Sequence, residues 1–160
     1  MRTSRASAAV HRLRARCRTV EALVLVTAAA AAQKWVPMPR WSPLIGRQAP
    51  VPAQWRGQAV ETLPAAAGSL TERRVAGSVR RASQLLPWEP TCLAQATAGQ
   101  VMLRRRGEPG RVVIGLRRPD QPDRPWDAHA WLLGTKGALT GGPAAAGFTA
   151  TTVFAPTNGG

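Results

Sequence analysis

Cys92 and His129 are the residues whose types and surroundings point to chemistry. Cys92 stands in Glu89-Pro90-Thr91-Cys92-Leu93, and His129 in Asp127-Ala128-His129-Ala130-Trp131. Thr91 is a good helix N-cap and Pro90 blocks any earlier helix, so Cys92 is expected in the first turn. There the unpaired backbone N–H groups and the helix dipole favour a thiolate, the nucleophilic form of cysteine. A histidine brought beside it is the proton acceptor such a nucleophile needs, and Asp127 is a candidate to orient that histidine. Each residue alone also has a plainer reading. A free cysteine is often a small core residue, and a lone histidine on an apolar strand is often structural.

The elements that must position these residues follow from the pattern. Ala94, Ala98, Val101 and Met102 keep one apolar face after Thr91, Arg104 to Arg106 suit a helix C-terminus, and Gly107 is a natural stop. Arg111–Leu116 reads as a buried strand, 117–126 as a Pro- and Asp-rich loop, and Asp127–Leu133 as a second strand. A period of two sets Asp127, His129, Trp131 and Leu133 on one face of that strand. Gly134–Gly137 is a turn, and Ala138–Thr140 a short return strand. Upstream, the pattern predicts a helix over Leu70–Leu86, capped by Thr71 and ended by Pro87. Residues 53–68 read as a linker. The prolines between residues 36 and 52 forbid a long helix, and Trp35, Trp41 and Trp55 are expected to pin that loop to the core.

The N-terminal segment has two readings. Arginines crowd residues 1–18, and an apolar run follows from Ala22 to Ala32. That imitates a secretion signal, and it equally suits a buried helix over Val20–Gln33. The run is too short to span a bilayer, which takes about 18 apolar residues or more.

Composition excludes several classes. In 160 residues, 44% are hydrophobic, enough for a core, and full disorder is excluded. Two cysteines, Cys17 and Cys92, and two scattered histidines give neither a disulfide framework nor metal-ligand spacing. The net charge of +14 favours an anionic partner. No zinc finger, aromatic RNA-binding core or GxxG clamp accompanies that charge. Arginine as the default surface cation of a biased composition explains it as well.

Thr91-Cys92-Leu93, Leu103-Arg-Arg-Arg-Gly107, Val113-Ile-Gly115 and Ala128-His-Ala-Trp131 together resemble the lasso-peptide biosynthesis B2 proteins. Leu139-Thr-Gly-Gly142 and Phe148-Thr…Val153-Phe154 are similar to the family's C-terminal ends. The likeness runs over about residues 84–154. It implies an α+β fold with a transglutaminase-like, papain-like cysteine protease core, in which the cysteine helix packs on a small antiparallel sheet. Residues 1–69 would be a basic segment, helix and Pro/Trp-rich loop, and 70–160 the catalytic core. It implies a cytoplasmic peptidase that removes the leader from a ribosomally made precursor, with Cys92 as nucleophile and His129 as base. The implied partners are the precursor leader peptide, a small leader-recognition protein and an ATP-dependent lasso cyclase. No cofactor, metal, nucleic acid or membrane span is implied.

The chain departs from the family at one place. The family carries an Asp on the strand after the His, where this chain has Thr140-Gly141-Gly142, and no acid follows His129. Asp127, a backbone carbonyl of the return strand, or Asn158 could take its place. The gap also keeps open a catalytically degenerate basic binding protein for a peptide or nucleic acid.

Overall fold

The computed structural model describes residues 2–55, 68–119 and 125–156. The first element, α1 (Arg2–Trp35), is a single helix of 34 residues. It is far longer than the expected Val20–Gln33. The reason is local: alanine, leucine and arginine are strong helix formers, and no proline or glycine intervenes before Pro37. A short helix α2 (Met38–Trp41) and a 3-10 turn follow, then β1 (Arg47–Ala49), a strand hidden in the sequence by its flanking prolines. Trp41 is buried and Trp55 packs at the edge of the core, whereas Trp35 is exposed.

Helix α3 (Leu70–Leu85) begins at Ser69, not at the expected Thr71. Ser69 and Glu72 form a reciprocal capping box, which satisfies two helix-terminal N–H groups at once. Glu72 is fully buried, and its carboxylate also accepts from the N–H and hydroxyl of Thr135 at 2.7 and 3.0 Å. This one side chain ties the start of α3 to the Gly134–Gly137 turn. Helix α4 (Cys92–Arg104) starts where expected, with Thr91 Oγ1 accepting the Ala94 N–H at 3.1 Å. It ends at Gly107, whose φ of 68° continues no helix.

The strands β2 (Arg111–Arg117), β3 (Asp127–Leu133) and β4 (Ala138–Thr140) lie where the pattern put them. A further strand, β5 (Thr149–Ala155), completes an antiparallel sheet of order β1-β5-β2-β3-β4. The fold is thus α+β. Helices α3 and α4 cover one face of the sheet, and α1 packs on those two helices. Their core joins Ala22, Val26, Val79, Met102, Val112 and Leu132. Residues on both sides of position 69 therefore share one core. The other face carries Val113, Trp131, Phe148 and Val153.

Buried Gln100 crosses between layers, donating through Nε2 to the carbonyls of Ile45 and Gly110 at 3.1 and 3.0 Å. No helix among the described residues is long and apolar enough to cross a membrane.

Candidate active site

Cys92 is the first residue of α4, and Cys92 and Cys17 are both free thiols. The site is made where α4 meets the open edge of β3. Strand β4 pairs with β3 only at Leu132 and Leu133. At Ala130 that edge is left to Cys92, whose Sγ accepts the Ala130 N–H at 3.3 Å. The half-buried thiol therefore sits against the residue that follows His129. Two further contacts clamp the start of α4. The Thr91 hydroxyl donates to Gln33 Oε1 at 2.8 Å, and Gln95 Nε2 donates to the Pro90 carbonyl at 3.1 Å. Gln33 lies in the last turns of α1, so α1 braces the cysteine helix.

His129 is half-buried on the face of β3 that carries Trp131. Its ring lies 5.3 Å from the Phe148 ring and 6.0 Å from that of Trp131. Its Nε2 stands 2.9 Å from the Gly141 carbonyl oxygen. A carbonyl can only accept, so Nε2 carries the hydrogen, and in the neutral ring Nδ1 is left as the acceptor. Gly141 reaches this place through a left-handed turn, φ 71°, just after β4.

Asp127 is placed differently from the sequence expectation. Its carboxylate pairs with Arg117, its cross-strand neighbour, at 3.0 Å, with both side chains about half exposed. The Arg117 guanidinium in turn lies 4.5 Å over the Phe148 ring. Asp127 therefore bears on His129 through Arg117 and Phe148, while the acceptor at the histidine is Gly141. Asn158 lies outside the described residues.

Two site residues escape sequence reasoning in different degrees. A backbone carbonyl of the return strand is one of the options that the missing acid leaves open, and the acceptor found, Gly141, lies one residue beyond that strand. Gln33 has no such signal, because nothing in the sequence relates it to Thr91, 58 residues away.

No curated protein and no solved structure matches the chain. The family model for the transglutaminase-like superfamily matches residues 32–153. That span runs from the end of α1 through Cys92, His129 and Gly141 to β5, most of the chain, and the protein belongs to the transglutaminase-like superfamily.

Proposed function

We propose that the protein is a cysteine peptidase that removes the leader from a ribosomally made lasso-peptide precursor before ring closure. One observation carries the reading. The Cys92 thiol at a helix N-terminus sits on the backbone N–H beside His129, whose tautomer is set by the Gly141 carbonyl. Cysteine-based peptidase and transferase chemistry is common in the superfamily, and the motifs around Cys92 and His129 supply the finer resemblance.

In the proposed cycle, His129 Nδ1 takes the Cys92 proton, and the thiolate attacks the scissile carbonyl carbon. The Cys92 N–H opens α4 with no intrahelical acceptor, and it is the group that would stabilise the oxyanion. The C–N bond breaks, the imidazolium proton goes to the leaving amine, and a thioester remains. Water then gives its proton to Nδ1 and attacks the thioester. The leader leaves as a carboxylic acid and the thiol is restored. Exposed Trp88 and Trp126, on the segments that lead into Cys92 and His129, offer apolar area to a bound peptide.

The leader peptide, a small recognition protein that holds it and a lasso cyclase are the partners of this reading. The test is a reconstituted cleavage of a lasso precursor followed by mass. Cys92→Ala should give no product, and Cys17→Ala should cleave like the wild type. Wild-type turnover by Cys92→Ala would end the peptidase reading.

A further inference from the structure

Helix α1 is apolar on two opposite sides. One side, with Ala22, Val26 and Ala29, is buried against α3 and α4. The other carries Val10, Leu13, Cys17, Val20 and Val24, at intervals of three and four residues. Its four aliphatic members are 48–62% exposed, and Cys17 is exposed. This three-four spacing is that of a helix-pairing seam, and residues 10 to 24 carry it for about 21 Å along the axis. The seam continues over the first half of α1, where residues 7–14 are nearly all exposed. A short helical stretch with so few contacts gains little from tertiary packing, which is where most helix stability in proteins arises.

The charges beside the seam select its occupant. Arg14 and Arg16 flank Cys17, at the positions that set partner choice in paired helices. Glu21 is the one acid of α1, and it is already held by Arg105 and Arg106 at 3.2 and 2.6 Å. A second copy of the chain would set this uncompensated arginine rim against itself. A lipid surface is the poorer match as well. Surface-lying helices insert bulky Trp, Phe and Leu, whereas this seam is narrow, mostly valine, and α1 has no aromatic residue before Trp35.

We infer that the outward Val10–Val24 seam of α1 is the docking surface for an acidic amphipathic helix of a partner protein. The contact would be apolar along the seam and would pair partner carboxylates with Arg14 and Arg16. This inference stands apart from the peptidase reading, and Cys92→Ala protein should dock as the wild type does.

The experiment uses the full chain and two synthetic helical peptides with the same leucine ridge, one flanked by glutamate and one by lysine. Fluorescence anisotropy should show the glutamate peptide bound and the lysine peptide at least about tenfold weaker. Bound glutamate peptide should also slow alkylation of Cys17. Val20→Glu, with unchanged circular dichroism, should cost at least about tenfold in affinity. The double variant Arg14→Glu/Arg16→Glu should reverse the peptide preference.

Equal binding of both peptides, or of neither, would overturn the inference. So would a chain dimer that Val20→Glu converts to monomer. Tighter binding to phosphatidylglycerol vesicles than to the glutamate peptide would assign the seam to a lipid surface instead.

Discussion

Nε2 of His129 lies 2.9 Å from the carbonyl oxygen of Gly141, so a backbone acceptor holds the ring where a carboxylate holds it in a full triad. A carbonyl fixes the tautomer as a carboxylate does, but it brings no negative charge to an imidazolium. Asp127 is engaged with Arg117 and touches the problem only through the support of Phe148. Asp127→Asn is therefore expected to lower kcat/KM by no more than about tenfold, or about 1.4 kcal/mol. A loss near 10⁴, the scale of a triad acid, would show that Asp127 reaches the histidine during turnover.

The carbonyl itself cannot be deleted, but its carrier can be disturbed. A Cβ at position 141 would stand 2.7 Å from the Ala130 oxygen and 3.1 Å from His129 Nε2, at a φ of +71°. Gly141→Ala should cost about 1–2 kcal/mol in stability from the left-handed backbone alone. It should also move the imidazole and lower kcat/KM by at least about tenfold. Urea unfolding and steady-state cleavage measured on the same preparation separate the two effects. A variant that loses stability but keeps full kcat/KM would show that Gly141 does not orient the base.

The sequence was most legible where one short range of residues decides the outcome. Thr91 and Pro90 set the start of α4, Gly107 its end, and the alternation from Asp127 to Leu133 the strand that carries His129. What it hid depends on distant partners. Strand β1 exists because Arg47 to Ala49 pair with Val153 to Ala155, more than a hundred residues on, and the prolines that flank it argue against it. Ser69 outranks Thr71 as a cap because Glu72 closes the box and is then held by Thr135. Asp127 looked available to His129 because the pattern gives its face but not its neighbour Arg117, which sits opposite it on β2.

Glu72 links stability to the site. Its buried carboxylate accepts from Ser69 N–H and from both donors of Thr135, and Thr135 lies in the turn that leads through β4 to Gly141. Glu72→Gln keeps the shape but, whichever way the amide turns, sets its NH2 against the backbone N–H of Ser69 or of Thr135. A loss of about 1–3 kcal/mol is expected from the urea midpoint. Because the turn is released, cleavage should fall as well at temperatures where the variant is still folded. An unchanged midpoint would mean that Glu72 is not the clamp its contacts describe.

Arg18 makes the opposite case, a half-buried side chain whose shielded Nε donor has no return. Its Nε is shielded from solvent and has no hydrogen-bond partner among the described residues. Burial, and then the guanidinium groups of Arg74, Arg106, Arg81 and Arg14, lower its pKa from the usual arginine range. A lowered pKa in a cation means that folding disfavours the charged form. The matching gain in stability would come only as pH climbs through the folded-state value, far into alkali, so salt and substitution are the usable levers. Arg18→Met keeps the long apolar stem, removes the unpaired donor and relieves four repulsions. It should raise stability by less than about 1 kcal/mol at low salt, because solvent already screens most of the guanidinium. That gain should shrink as salt screens the arginines remaining in the wild type. A lower urea midpoint for Arg18→Met at every salt concentration would show that the guanidinium has a favourable partner after all.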